Sequence, residues 1–115
     1  MPVSRVTAAQ AHRMLRDGTA VLVDVRDPDE YRAGHAPGAL HLPLPWSAQT
    51  TTSLPSLTAG RDLVLVCRSG NRSQRAAALL AEHGTQAADV IGGLRDWAAQ
   101  GLPVEDAQGA AGTVI

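Results

Sequence analysis

Residues 63–84, LVLVCRSGNRSQRAAALLAEHG, decide how the chain is read. Leu63 to Val66 is an unbroken apolar run, the mark of a strand covered on both faces. It delivers Cys67 to a short polar loop, CRSGNR, and the chain then turns alanine-rich. A helix is predicted from about Arg72 to His83, with Ala76, Leu79 and Leu80 on one face and Gly84 as its stop. A thiol at the carboxyl end of a buried strand, just before a helix, is placed for chemistry. Ligands of open α/β sheets bind at such ends.

The same alternation extends in both directions. Thr7 and Gln10 have capping-box spacing for a helix over residues 8–17, ended by Gly18. AVLVDV, residues 20–25, is a second buried strand. Asp27, Pro28 and Glu30 are suited to be N-cap, first helical residue and reciprocal cap of a short helix ending near Gly34. A brief strand is expected around residues 39–42. Residues 43–60 carry prolines, serines and threonines, and read as a long connection with at most a helical turn or two. ADVI, residues 88–91, is a last strand, and GGLRDWAAQ, residues 92–100, a closing helix. PVSRV at the start supplies a short first strand. Strands alternating with helices argue for an α/β fold with a mostly parallel sheet.

Composition narrows the function. The 115 residues suffice for one domain with one core. A net charge of −1 gives no reason to expect a nucleic-acid partner. No stretch approaches the length of a membrane span, and the N-terminus has no signal-peptide core, so a cytoplasmic domain is expected. A single cysteine excludes an internal disulfide, a Cys-x-x-Cys redox pair and a cysteine-rich zinc site. The histidines have no metal-ligand spacing. With no long amphipathic stretch left over, a monomer is expected.

The loop suits a reactive thiolate. Free cysteine has a pKa of about 8.5, and helix N-termini and nearby arginines lower it. Arg68 and Arg72 supply charge, and Arg75 is placed to extend it. Gly70 lets the chain curl several N–H groups toward the sulfur, and Asn71 tolerates the same angles. Ser69 and Ser73 offer hydroxyls, for the sulfur or for capping. The alternative is a buried core thiol. The run of polar residues and glycine that follows Cys67 argues against it.

These residues resemble the single-domain rhodaneses, a sulfurtransferase family. The resemblance rests on CRSGNR (67–72), VDVRDPDEYRAGHAPGALHLPL (23–44) and GGLRDWAAQGLPV (92–104) in that order. It implies a rhodanese domain over residues 1–105; residues 106–115, DAQGAAGTVI, have little to pack and are read as a flexible tail. It implies a three-layer α/β fold: a five-stranded parallel sheet, order 1-5-4-2-3, with helices on both faces. It further implies that Cys67 is catalytic and takes a sulfane sulfur from thiosulfate or a persulfide donor. The resulting persulfide passes it to cyanide or a thiol acceptor. Arg68, Ser69, Gly70, Asn71, Arg72 and Ser73 then form the substrate-binding loop, with no metal or organic cofactor.

Two other readings stay open. A persulfide carrier or protein-interaction module would keep the fold without fast small-molecule turnover. Phosphatases and arsenate reductases of similar fold use Cys-x5-Arg, whereas here the spacing is Cys67-x4-Arg72. Elsewhere, Asp24 interrupts an apolar strand and calls for a buried partner. Arg26 and Glu30 are expected to join a local salt bridge or cap network, His35 to be structural, Trp97 to be core, and Trp46 to wall the pocket mouth.

Overall fold

A computed structural model describes residues 4–115. Pro2 and Val3 of the expected first strand lie outside the described residues. The strands are β1 (Ser4–Val6), β2 (Ala20–Asp24), β3 (Leu40–His41), β4 (Asp62–Val66) and β5 (Ala88–Val90). They form one sheet in the order β1-β5-β4-β2-β3, with every pairing parallel. This is the order the resemblance implied. The helices are α1 (Ala8–Arg16), α2 (Pro28–Ala33), α3 (Ala48–Leu57), α4 (Asn71–Glu82) and α5 (Gly93–Ala99).

The apolar runs of β2 and β4 are explained by burial on both faces. Side chains of a strand alternate between faces. Ala20, Leu22, Val64 and Val66 pack with Ala8 and Ala11 of α1 and with Leu94 and Trp97 of α5. Val21, Val23, Leu63 and Leu65 pack instead with Leu54 of α3 and with Ala76, Ala77 and Leu80 of α4. The two cores sandwich the sheet between helix pairs. Each fully buried leucine or valine contributes roughly 1.5–3 kcal/mol. The small alanines let α1 and α4 lie close to the strands.

Residues 43–60 hold more order than expected. Ser47 caps a ten-residue helix by accepting the Thr50 N–H. Most of its threonines and serines satisfy their hydroxyls on backbone carbonyls one turn back, as Thr51 does on Ser47 and Thr52 on Ala48. Thr51 and Leu54 turn inward, so two residues anchor the helix without an obvious apolar stripe. The segment after Asp106, read as having little to pack, makes definite contacts. Thr113 N–H donates to Ala33 O, Gly112 N–H donates to Val104 O, and Val114 packs against the α1/α5 core.

The chain leaves β2 toward β3 on one side and leaves β4 toward β5 on the other. The carboxyl ends of these two neighbouring strands therefore flank the crevice where α/β sheets place their sites. Asp24 pairs in register with Val66, immediately before Cys67. Among the described residues, no helix is long and apolar enough to cross a membrane.

Candidate active site

Cys67 is the first residue after β4, and its side chain is 1% exposed. It is as inaccessible as a core thiol, and polar neighbours distinguish it from one. The Gly70 N–H donates to its sulfur at 3.1 Å, and the Ser73 N–H, in the first turn of α4, at 3.4 Å. The Ser73 hydroxyl lies 3.4 Å from the sulfur. Burial pushes the Cys67 thiol up. The hydrogen bond with the Ser73 hydroxyl and those from the N–H groups of Ser73, Gly70 and Ser69 outweigh it, so the net shift is downward. Donors aimed at the sulfur bind the thiolate more strongly than the neutral thiol and so favour ionisation.

Gly70 makes this curl possible. It caps α4 at φ 106°, in the left-handed region where a side chain is strained. A Cβ there would also come 3.1 Å from the Arg5 guanidinium. Asn71, which tolerates the same angles, is the first helical residue and does not adopt them.

The two loop arginines differ. Arg68 is exposed and makes no ion pair among the described residues. Arg72 turns to α2 and grips Glu30 with two bonds, at 2.7 and 2.9 Å. That bond with Arg72 holds Glu30 below the usual carboxylate range, and Glu30 in turn pushes Arg72 up. Of the two expected roles, Glu30 keeps its place in the cap of α2, accepting the Asp27 N–H at 3.2 Å, but no Arg26–Glu30 salt bridge forms. Arg26 is buried with Asp24 instead, and its Nη2 also donates to Gly34 O at 2.7 Å. An arginine 42 residues from Glu30 was the better partner because α2 and the loop meet in space. Arg75 is exposed on α4, and Ser69 and Asn71 are exposed in the loop.

His35 is not among the hydrogen-bond partners of the Cys67 sulfur. Its Nδ1 meets Tyr31 O at 2.7 Å, and its ring stacks on Tyr31. Trp97 is fully buried, and its Nε1 donates to Pro103 O. Trp46 packs against the α3/α4 core and donates to Leu42 O.

Two features escaped the sequence reading. Asp89 of β5 is fully buried and accepts from the Ser73 hydroxyl at 3.2 Å. A charge inside ADVI was a signal of the same kind as Asp24 inside AVLVDV. The second is the start of α5. The Leu94 and Arg95 N–H groups donate to the Cys67 and Arg68 carbonyls at 2.8 and 3.0 Å. Gly93, at φ 59°, permits that approach; a Cβ would run into the Cys67 carbonyl and come 2.5 Å from the Arg68 oxygen. Gly93→Ala is expected to lower stability by at least about 2 kcal/mol, read from the urea midpoint. A midpoint matching wild type would show that the loop shifts freely.

Fold and loop together define a class: an α/β domain that holds a cysteine sulfur in a backbone cradle beyond its central strand. The rhodanese-like domain family matches residues 7–100, and the chain belongs to that family. At the level of the family, the chemistry is sulfur transfer between donors and acceptors.

An HTH-type transcriptional regulator of Mycobacterium tuberculosis is 34% identical over 107 residues, which cover 91% of this chain and 46% of that protein. The chain thus spans about half the length of this relative. The rhodanese-like domain of an Anabaena protein superposes with TM-score 0.72 at 28% identity, covering 92% of this chain and 80% of that one. A Rhodopseudomonas palustris protein of unknown function, described as a possible tyrosine phosphatase, gives 0.74 at 27% identity, covering 90% and 85%. Thiosulfate sulfurtransferase of Pseudomonas aeruginosa also gives 0.74, at 22% identity over 98% of this chain and 22% of that one; this likeness is one of fold.

Proposed function

We propose that the protein is a sulfurtransferase that carries a sulfane sulfur as a persulfide on Cys67. The observation that carries the reading is the pair of N–H groups, from Gly70 and Ser73, aimed at the Cys67 sulfur. The thiolate attacks the outer sulfur of thiosulfate or of a persulfide donor. A new S–S bond forms, the donor's S–S bond breaks, and sulfite or a thiolate leaves with the electron pair. Cyanide or a thiolate then attacks the outer sulfur of the Cys67 persulfide, and the pair returns to Cys67. The reaction is a double displacement through a covalent intermediate. The N–H donors stabilise negative charge on sulfur at each stage. No metal or organic cofactor takes part in either step.

The ion pair of Arg72 argues against phosphate chemistry. A phosphatase arginine must offer its guanidinium to the oxyanion, and here both terminal nitrogens are engaged by Glu30. Arg68 is the loop cation left to attract an anionic donor. Arg68→Ala is expected to raise KM for thiosulfate about fivefold with kcat little changed, the effect shrinking at high salt. An unchanged KM at low salt would remove Arg68 from donor binding.

The deciding test is intact-protein mass spectrometry after incubation with thiosulfate or a persulfide. The expected result is a gain of one sulfur atom, removed by cyanide as thiocyanate. No gain with either donor would overturn the reading. The match within a transcriptional regulator favours one second reading, in which the Cys67 persulfide is carried or sensed within a larger assembly. Rapid discharge to cyanide and small thiols would exclude it.

A further inference from the structure

Sulfur transfer as described makes no use of Asp89 or Arg5, yet the structure ties both to the thiol. Asp89 Oδ1 accepts from Arg5 Nε at 3.0 Å, and Oδ2 accepts from Arg5 Nη2 and the Ser73 hydroxyl, both at 3.2 Å. Gln74, with its amide oxygen toward Arg5, accepts from the same guanidinium at 2.7 and 3.1 Å. Ser73 Oγ lies between Asp89 and the Cys67 sulfur, 3.4 Å away. The carboxylate is wholly buried, so its charge is felt across this one hydroxyl.

A hydroxyl has one proton to donate and two lone pairs. With Cys67 protonated, the arrangement is complete: the thiol donates to Ser73, and Ser73 donates to Asp89. When the thiol loses its proton to solvent, the sulfur can only accept. The Ser73 lone pair would then face a negative sulfur. Turning the hydroxyl to the sulfur removes that repulsion, at the expense of the bond to Asp89. Arg5 makes the loss tolerable, because it still engages both carboxylate oxygens.

We propose that the Ser73 hydroxyl is a one-proton switch shared by Cys67 and Asp89, and that the Arg5–Asp89 pair sets which way it rests. Asp89 is thus a positioning residue. It acts on the sulfur through Ser73 and holds the switch in the thiol-state direction until Arg5 offsets its charge. The other charged groups around Cys67 do not contact Ser73's hydroxyl. Arg72 is paired with Glu30 of α2, Asp24 with Arg26 at the end of β2, Arg68 is exposed in the loop, and Arg95 and Asp96 lie on α5. The inference rests on Cys67 being the nucleophile of the proposed function, but its test needs no sulfur donor.

The experiment titrates the only cysteine by the ultraviolet absorbance of its thiolate, with Cys67→Ser as the blank for Tyr31. The variants are Asp89→Asn, Arg5→Gln, Ser73→Ala, and Ser73→Ala combined with each of the first two. Asp89→Asn is expected to lower the thiol midpoint by about one pH unit, and Arg5→Gln to raise it by about as much. Plain charge effects would also give opposite signs, so the combined variants decide. In the Ser73→Ala background both shifts should fall below half. Shifts of full size there would overturn the switch, as would two single variants that move the midpoint in the same direction or not at all. Should Asp89→Asn not fold, Arg5→Gln at the exposed edge strand carries the same comparison with Ser73→Ala. A protein that takes no sulfur from thiosulfate would still give these midpoints, so failure of the sulfurtransferase reading and failure of the switch are told apart.

Discussion

Cys67→Ser is expected to abolish sulfur transfer, by at least about a thousandfold, with the fold intact. The hydroxyl can accept the Gly70 and Ser73 N–H bonds that now meet the sulfur, so the loop keeps its shape. What it cannot do is ionise near neutral pH or form a persulfide. The control is clean because no other cysteine exists to take the sulfur. Mass spectrometry should show no added sulfur after thiosulfate, and denaturant midpoints should stay within about 1 kcal/mol of wild type. Retained sulfur transfer would remove Cys67 from the chemistry altogether. In the wild type, the rate should follow the thiolate fraction. The downward shift of the thiol predicts a rising limb centred below the ordinary value of a cysteine thiol, with a plateau above it. A limb centred above that value would mean that burial outweighs the cradle.

Asp24→Ala is expected to be the most destabilising single change, at about 3–5 kcal/mol. Asp24 and Arg26 are both fully buried, and the carboxylate takes three side-chain bonds from the guanidinium at 2.7 to 3.1 Å. It also accepts the Arg26 N–H at 3.0 Å. Without it, a cation is left in the interior with one carbonyl, Gly34 O, as its partner. Its Nη1 already lacks a partner among the described residues. Total stability of such domains is about 5–15 kcal/mol, so this loss removes a large fraction. Replacing both members, Asp24→Leu with Arg26→Met, should recover most of it, because an apolar pair has no charge to desolvate. Urea midpoints check both arms. A single variant within about 1 kcal/mol of wild type would show that water reaches Arg26 freely.

The parts of the fold legible in the sequence were those written in local pattern. The apolar runs of β2 and β4, the Thr7–Gln10 capping box and the alanine face of α4 each act within a few residues. The position of Cys67 at the mouth of β4 was legible for the same reason. Helix α3 was not, because its order comes from a serine cap and two inward side chains rather than from an apolar stripe. Pairings set by tertiary contact were illegible in detail. Asp24 inside a strand announced that it needed a partner, and Arg26 answered it locally. Glu30 also sat near a plausible partner, but its true one came from the active loop. Asp89 and Arg5 became neighbours only when the sheet placed β1 beside β5.

That last adjacency has a consequence for synthesis. The Arg5–Asp89 contact joins residues 84 positions apart, so β1 waits for β5 before its inner edge is paired. The same is true of the carbonyls of Cys67 and Arg68, whose donors at Leu94 and Arg95 arrive more than twenty residues later. Such distant closures are made late in folding, after the loop entropy has been overcome. A nascent chain halted before Gly93 would hold its thiol in an unclosed loop. The reactive sulfur is therefore matured by the arrival of α5, not by the arrival of the cysteine itself.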